Sequence, residues 1–366
     1  MDGPVLITGG AGFIGSHLAD ELLRCGRRVR VLDSLVEQVH GGGGRPDYLA
    51  DDVELVTGDV RDRAALKRAL DGVDTVVHLA ARVGVGQSMY EPAEYASANT
   101  AGTATLLEAL GDRPVSRLVV ASSMSIYGEG LYRRPDGEPV VDAARTREQL
   151  ARREWEPGAD LEAVPTPEWK APSLASVYAL TKYDQERLCL IWGESYGVPT
   201  VALRFFNVYG PRQALSNPYT GVLAIFAARL LNGNAPLVFE DGEQRRDFVC
   251  VRDVARAVRL ALESDAAGGR VLNVGSGRSV TVREIGALLA DALEVSIEPV
   301  LTGDARAGDI RHCFADVRLA AEALGFEAQV SLEEGIAELV AWLAGRRPDD
   351  RVEAARAELE RRGLTL

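Results

Sequence analysis

The stretch Thr8-Gly9-Gly10-Ala11-Gly12-Phe13-Ile14-Gly15 follows a short apolar run, residues 5–8, and leads into an amphipathic segment. Its glycines have the spacing GxxGxxG. In a strand–loop–helix unit, Gly9 permits the tight turn, Gly12 lets the backbone approach a pyrophosphate, and Gly15 lets helix and strand pack closely. The phosphates would lie at the positive end of the helix. The stretch therefore predicts a dinucleotide-binding turn at the start of a parallel sheet.

Similar runs rich in valine, leucine and isoleucine recur downstream and alternate with helical patterns. Together with the first run they cover residues 5–8, 28–32, 53–57, 75–79, 118–122 and 200–205. Such runs are typical of strands that are buried on both faces of a parallel sheet built from βαβ units. We therefore predict an α/β fold, with a Rossmann-type doubly wound parallel sheet over residues 1–206.

The rest of the chain departs from this alternation. The polar segment 130–173 is too long for a plain loop and is interpreted as an insertion, partly helical around residues 143–153. Beyond residue 206, helical patterns mix with brief strands such as 237–240 and 271–274. We predict a smaller, mixed α/β substrate-binding lobe over residues 207–345, with some chain returning to the first domain. The charged tail, residues 346–366, is predicted to be a solvated helix.

Composition limits the class of function. The 366 residues are 46% apolar and 26% charged, as in soluble globular proteins, and no apolar run could span a membrane. A net charge of −13 argues against a nucleic-acid or anionic-membrane surface. The N-terminus leads straight into a strand without a leader, so we expect a cytoplasmic protein. The four cysteines form no CxxC pair, so neither a disulfide scaffold nor a bound metal is expected.

The choice of cofactor is indicated by the end of the second apolar run. Asp33 lies 18 residues after Gly15, where a carboxylate accepts hydrogen bonds from the adenosine ribose. The same carboxylate would repel a 2′-phosphate, which favours NAD over NADP. Three arginines near this position are interpreted as solvating the strand ends.

A possible catalytic group is formed by Tyr178, Lys182 and Ser123. In Tyr178-Ala-Leu-Thr-Lys182 the phenol and the ammonium share one helical face. Lys182, with the nicotinamide charge, is expected to lower the pKa of Tyr178 from about 10 toward neutrality, so that Tyr178 acts as a base. Ser123 directly follows the fifth run, at the carboxyl end of the predicted strand, where parallel sheets bind ligands. Its hydroxyl is placed to hold the same substrate oxygen. The YxxxK spacing is common on helices, and only the glycine turn and Ser123 favour the catalytic interpretation.

The glycine turn, the SSMSIYG segment at 122–128, the YxxxK motif and the LRFFNVYGPR run at 203–212 together resemble the extended short-chain dehydrogenase/reductase family. The resemblance covers nearly the whole chain and implies an NAD-dependent enzyme acting on a nucleotide sugar. The insertion, the SNPYTG segment at 216–221 and the tail are most similar to bacterial 4-epimerases that act on dTDP-L-rhamnose. This insertion lacks the cysteine pairs that many relatives carry. The family commonly pairs through four helices, which implies a homodimer through helices near 100–110 and 178–196.

The motifs and the resemblance together nominate the site residues. The catalytic residues would be Ser123, Tyr178 and Lys182. The residues implied to bind NAD are Gly9, Gly12, Phe13, Ile14, Gly15, Asp33, Ser34, Asp59, Val60, Leu79, Ala80, Ala81, Asn99, Tyr178 and Lys182. The residues implied to bind the nucleotide sugar are Ser125, Asn207, Asn217, Arg246, Arg306 and Asp309. The two arginines of the second set suit phosphate oxygens, because a guanidinium matches them in bidentate geometry.

The residues beside Ser123 separate the reactions that such an enzyme performs. Dehydratases of the family place an Asp-Glu pair where this chain has Met124 and Ser125, because elimination of water requires a general acid and a general base. Decarboxylases of the family tend to carry a glutamate at the position of Ser125. We therefore predict a nucleotide-sugar 4-epimerase, most specifically for dTDP-L-rhamnose and dTDP-6-deoxy-L-talose. A dehydratase, decarboxylase or ketoreductase on the same scaffold, or a sensor without catalytic activity, remains an alternative.

Overall fold

Helices and strands alternate along most of the chain. The computed structural model describes residues 3–42, 44–305 and 309–365. In these ranges the strands are β1 Val5–Thr8, β2 Val29–Asp33, β3 Glu54–Thr57, β4 Thr75–His78, β5 Arg117–Ser123, β6 Leu131–Arg133, β7 Pro139–Val140, β8 Glu162–Val164, β9 Thr200–Phe205, β10 Asn207–Tyr209, β11 Leu237–Val238, β12 Arg245–Cys250, β13 Val271–Val274, β14 Ser279–Thr281, β15 Val300–Leu301 and β16 His312–Cys313. The α-helices are α1 Phe13–Arg24, α2 Glu37–His40, α3 Arg63–Ala69, α4 Val85–Ser88, α5 Pro92–Tyr95, α6 Gly102–Asp112, α7 Arg147–Ala151, α8 Val177–Tyr196, α9 Val222–Leu231, α10 Val251–Glu263, α11 Val282–Ala292, α12 Arg318–Leu324, α13 Leu332–Leu343 and α14 Val352–Arg361.

The central sheet has seven parallel strands in the order β13-β9-β5-β4-β1-β2-β3. Successive side chains of a strand point to opposite faces, so Val5 and Ile7 enter one hydrophobic core and Leu6 the other. The strand order reverses between β1 and β4, which opens a crevice at the carboxyl ends of these strands. The predicted Rossmann-type sheet is confirmed, and its six predicted strands differ from the observed ones by at most one residue at an end.

The seventh strand of this sheet comes from far along the chain. Residues 271–274, assigned from sequence to the smaller lobe, form β13 and pair in parallel with β9, Val271 opposite Ala202. Leu272 and Val274 are fully buried in the same core as Val201. A short apolar run does not reveal which sheet it joins, because strand pairing depends on residues distant in sequence.

The smaller lobe, on the other side of the crevice, contains further sheets and helices. Strand β12 pairs with β10, β14 and β16, while β11 pairs with β15. Helices α9, α11 and α13 contribute Phe226, Ile285 and Leu339 to a separate hydrophobic core. In the described part of the chain, the helices are too short or too polar to cross a bilayer.

The insertion contains more structure than its sequence indicates. The expected helix is present as α7, which starts with a capping box between Thr146 and Gln149. A three-stranded antiparallel sheet, β7-β6-β8, was not predicted. Arg145 joins the insertion to the smaller lobe, because its guanidinium lies 2.6 Å from Glu240 and 3.3 Å from Glu129. Strands of two or three residues carry too little periodicity to be recognised from sequence.

Candidate active site

A single cavity runs from the carboxyl ends of the parallel strands into the smaller lobe. Its volume is about 720 Å³, within the range of ligand sites. It brings together predicted residues from all parts of the chain. These are Gly9, Gly12, Phe13, Ile14, Gly15, Asp33, Ser34, Asp59, Val60, Leu79, Ala80, Ala81, Ser123, Ser125, Tyr178, Lys182, Asn207, Asn217, Arg246 and Asp309. Asn99 is not among the lining residues, and Arg306 lies outside the described residues.

The glycine turn forms a cradle at one end of the cavity. Gly9 has φ +69°, and a Cβ there would lie 2.8 Å from the Cα of Ala80. A Cβ on Gly15 would lie 2.4 Å from the Cα of Gly10, so Gly15 lets the helix start pack on the turn itself rather than on the strand. A Cβ on Gly12 would meet only the carbonyl oxygen of Gly9, at 3.3 Å. Gly12 precedes α1 and has no side chain that could accept hydrogen bonds from the first N–H groups of the helix. These N–H groups can therefore bind a pyrophosphate, and the cradle fits a dinucleotide.

Asp33 fixes the next part of the cavity wall. Its carboxylate accepts hydrogen bonds from the N–H of Ala11 at 3.0 Å and of Leu35 at 2.9 Å. The carboxylate therefore ties the glycine turn to the end of β2 and keeps a negative charge at the cavity. Asp59, farther along, pairs with Arg61 at 2.7 Å. Burial tends to raise the pKa of Asp59, but the hydrogen bonds and charge of Arg61 hold that pKa below its usual value.

Asn99 lies behind the cavity wall rather than in its lining. It is fully buried, and its carboxamide oxygen accepts the N–H of Arg82 at 2.7 Å. Its amide nitrogen donates to the carbonyl oxygen of Arg82 at 3.1 Å and to the hydroxyl of Thr181 at 3.0 Å. Asn99 is fully buried with these bonds made, and its contact with NAD stays a prediction. The same bonds join the segment after β4 to α8.

The three candidate catalytic residues border the same region of the cavity. Tyr178 lies in the first turn of α8, and its N–H donates to the hydroxyl of Ser88 at 3.0 Å. Lys182 follows one turn later and is 3% exposed. Ser123 ends β5, and its hydroxyl oxygen accepts from the hydroxyl of Ser125 at 2.9 Å. Ser123, Tyr178 and Lys182 therefore all line the cavity, and Ser123 is hydrogen-bonded to the side chain of Tyr178.

A buried ion pair sets the position of α8 against the sheet. Arg204 of β9 lies 2.7 Å from Glu186, and both side chains are almost fully buried. Ser122 donates its hydroxyl to the same carboxylate at 2.6 Å. Glu186 is one helical turn beyond Lys182, and Ser122 directly precedes Ser123. The pair therefore fixes the distance between α8 and the end of β5.

The pKa values of Tyr178 and Lys182 are shifted mainly by burial, which the sequence did not indicate. Burial raises the pKa of Tyr178, and a hydrogen bond with Ser123 offsets this only in part. Burial lowers the pKa of Lys182 to about 8, and its ammonium group donates to the Oε1 of Gln185 at 2.7 Å. The expectation that Lys182 and the nicotinamide charge together lower the pKa of Tyr178 stays a prediction for the NAD-bound protein. In the protein alone, Lys182 does not lower this pKa. The reason is that desolvation dominates at Tyr178 while the ammonium group is bonded to Gln185.

The far end of the cavity carries the polar groups of the smaller lobe. Arg246 donates to the carbonyl oxygens of Arg245 and Arg311, each at 2.9 Å, and lies 3.9 Å from the carboxylate of Asp309. Asn217 accepts from the amide of Gln38 at 3.1 Å. The buried Oδ1 of Asn207 has no hydrogen-bond partner among the described residues. An arginine beside an unsatisfied amide is suited to a polar, anionic ligand.

The cavity also contains residues that the sequence did not identify. Gln213 and Tyr219 line it, and α14 contributes Val352, Ala355, Arg356 and Leu359. The predicted tail helix is present as α14, but it is not solvated on all sides, because one of its faces lines the cavity. The spacing of Val352, Ala355 and Leu359 is that of one helical face, a signal that this face is covered. No local signal could show what covers it.

A doubly wound parallel sheet with a glycine turn and with Ser123, Tyr178 and Lys182 at its ligand-binding edge defines a dinucleotide-dependent enzyme of the Rossmann class. The chain belongs to the NAD dependent epimerase/dehydratase family, whose model matches residues 5–151 and 156–275. The predicted resemblance to extended short-chain dehydrogenases/reductases is confirmed, and the chain is an NAD-dependent enzyme.

Relatives within the family differ in reaction. The chain is 36% identical over 346 residues to the dTDP-L-rhamnose 4-epimerase of Burkholderia thailandensis, covering 93% of this chain and 94% of the relative. It is 30% identical over 355 residues to the dTDP-glucose 4,6-dehydratase of an Actinoplanes species, covering 94% of this chain and 98% of the relative. The UDP-glucose 4-epimerase of Thermus thermophilus, solved in complex with NAD, has a TM-score of 0.75 and 34% identity, covering 93% of this chain and 99% of that one.

Proposed function

We propose that this enzyme is a nucleotide-sugar 4-epimerase. The observation that carries the proposal is the pair Met124 and Ser125, which follows Ser123 at the cavity wall. A thioether and a hydroxyl are poor general acids and bases, so these positions do not support elimination of water or assisted decarboxylation. Inversion at C4 requires one group that takes a proton and later returns it, which Tyr178 provides.

The proposed roles follow from the positions of the side chains. NAD, when bound, accepts a hydride and gives it back. Tyr178 takes the proton of the sugar's C4 hydroxyl during oxidation and returns it when the opposite face is reduced. Ser123 donates a hydrogen bond to the same oxygen. Lys182, with a pKa of about 8, is mostly protonated at neutral pH and provides a positive charge one helical turn from Tyr178.

We propose dTDP-L-rhamnose and dTDP-6-deoxy-L-talose as the substrate pair. The similarity to the Burkholderia thailandensis enzyme over almost its full length supports this choice. The nucleoside diphosphate would lie against Arg246, Asn207, Asn217 and Asp309 in the smaller lobe. Arg306 is included from its sequence motif alone.

Product analysis tests the proposal. The protein is incubated with NAD and, in turn, with dTDP-L-rhamnose, dTDP-glucose and UDP-glucose, and the products are identified by NMR. We expect inversion at C4 of dTDP-L-rhamnose, with no loss of water from any sugar. Formation of a 4-keto-6-deoxy sugar from dTDP-glucose would identify a dehydratase instead and contradict the proposal.

We also propose a homodimer that forms through α6 and α8. Three apolar or aromatic residues of α8 point away from the protein, since Leu180, Ile191 and Tyr196 are 46%, 53% and 57% exposed. Thr100, just before α6, donates to Asp184 of α8 at 2.8 Å, so the two helices lie side by side. Burial of these side chains against a second copy would remove apolar surface from water.

A further inference from the structure

The C-terminal helix α14 forms one wall of the cavity. Val352, Ala355, Arg356 and Leu359 line it, and their spacing of three and four residues places them on one helical face. Residues on the other side of the helix, such as Arg361, are exposed. The helix therefore has an inner face directed at the ligand space and an outer face directed at solvent.

The beginning of α14 is attached to the smaller lobe. Arg229 of α9 lies 3.1 Å from Glu353 and 3.5 Å from Asp350. The amide of Asn232 donates to the carbonyl oxygen of Pro348 at 2.9 Å. In the middle of the helix, Arg356 lies 2.9 Å from Asp304. These contacts fix the first half of the helix on one side of the crevice.

The end of α14 contacts the large domain on the other side. A Cβ on Gly86 would lie 3.5 Å from Leu359, so the leucine packs directly on the backbone of α4. The guanidinium of Arg362 lies 4.4 Å from the ring centre of Tyr90. Gly86 is two residues from Ser88, whose hydroxyl accepts the N–H of Tyr178. The ten-residue helix, about 15 Å long, therefore crosses the crevice from the smaller lobe to α4, which is bonded to α8 at Tyr178.

The position of α14 limits which part of the ligand it can contact. The reacting carbon must lie within hydrogen-bond reach of Tyr178, so the sugar occupies the part of the cavity nearest α4. Leu359 borders this part, whereas Arg246 lies in the smaller lobe. We infer that α14 is part of the sugar-binding site and that Leu359 contacts the sugar but not the nucleotide. This inference rests on the proposed function, because that function places C4 of a nucleotide sugar at Tyr178.

The test compares two ligands on the NAD-loaded protein. Binding of dTDP and of dTDP-L-rhamnose is measured by calorimetry for the wild type, Leu359→Ala and Leu359→Met. Because Leu359→Ala removes buried apolar contact, we expect its affinity for dTDP-L-rhamnose to fall by about fivefold or more. Its affinity for dTDP should stay within about twofold of the wild type, and Leu359→Met should restore sugar binding. The control is Arg361→Ala on the exposed side of the same helix, which should change neither affinity.

Hydrogen exchange gives a second measurement. If α14 had only a structural role, its amides would exchange at the same rate with either ligand bound. The amides of residues 352–361 should exchange more slowly with dTDP-L-rhamnose than with dTDP. Equal losses of affinity for both ligands in Leu359→Ala, or no loss for either, would overturn the inference. If the wild type does not invert C4 of dTDP-L-rhamnose in the product analysis, the proposed function fails first. These results are distinguishable, because one compares the affinities of variants and the other follows the reaction of the wild type.

Discussion

Tyr178 is the residue on which the proposed reaction depends most directly. We expect Tyr178→Phe to lower kcat by at least about 100-fold, because the variant cannot take the proton of the C4 hydroxyl. The amount of NAD bound to the protein should be unchanged, because the aromatic ring at position 178 remains. Turnover is followed by NMR, and NAD is quantified after denaturation. The control is Tyr183→Phe, on the same helix but outside the cavity lining, which should retain activity. Substantial turnover by Tyr178→Phe would remove this residue from the mechanism.

A second residue, Asp33, is expected to set the choice between NAD and NADP. Its negative charge at the cavity wall would repel a 2′-phosphate. In a binding titration, the wild type should prefer NAD, and Asp33→Asn should narrow the ratio of the two dissociation constants by about tenfold. The amide keeps an oxygen that can accept from Ala11 or Leu35, which limits structural damage. A wild-type preference for NADP would contradict this role.

At the scale of elements, two glycines of the turn before α1 should respond differently to alanine. Gly15→Ala forces a Cβ against the backbone of Gly10 and should lower the free energy of unfolding by about 1–3 kcal/mol. Gly12→Ala meets only the oxygen of Gly9, so its unfolding free energy should stay within about 1 kcal/mol of the wild type. Its methyl group would nevertheless occupy the cradle, so NAD affinity should fall in both variants. Urea unfolding and NAD titration measure the two effects. Undiminished NAD binding by Gly12→Ala would show that the pyrophosphate does not approach this backbone.

At the scale of the whole molecule, stability should fall in acid through His78. This side chain is 1% exposed and lies between the hydroxyls of Thr8 and Thr103, and burial lowers its pKa to about 3. Between pH 6.5 and 3 the unfolded chain therefore binds a proton that the folded chain does not. The contribution of His78 is fully present above pH 6.5, and it falls by about 1.4 kcal/mol per unit as the pH decreases.

Unfolding in urea at pH 7 and pH 4.5 measures this loss. The wild type should lose about 2–3 kcal/mol of unfolding free energy through His78 between the two values. His78→Gln is expected to be less stable at pH 7, but its dependence on pH should be correspondingly shallower. An unchanged slope in the variant would mean that other groups cause the acid sensitivity.

The proposed dimer is also a property of the whole molecule. We expect sedimentation to give the mass of two chains for the wild type. Ile191→Glu should shift the protein toward one chain, because a charge at the centre of an apolar contact is desolvated without a partner. The control is Val300→Glu, where a comparably exposed apolar residue of the smaller lobe is changed. Dissociation by both variants, or by neither, would contradict an interface on α8.

Sequence patterns predicted many features that depend on neighbouring residues, although not the short strands β6, β7 and β8. The strands of the large sheet, the turn around Gly9 and the shared helical face of Tyr178 and Lys182 follow from side-chain alternation, backbone freedom and helical spacing. These rules depend only on residues within about ten positions of each other, so they apply to a segment wherever it lies in the folded protein. Ser123 was identified in the same way, as a polar residue at the end of a buried strand.

Tertiary structure decided the features that depend on residues far apart. It placed β13 in the large sheet, used the carboxamide of Asn99 inside the protein, raised the pKa of Tyr178 by burial and brought α14 across the crevice. In each case the outcome depends on which distant group fills the space beside a residue, as Leu359 does beside Gly86. The sequence by itself determined the dinucleotide turn and the positions of the candidate catalytic groups. Only the packing of distant segments decided the protonation, hydrogen bonding and enclosure of those groups.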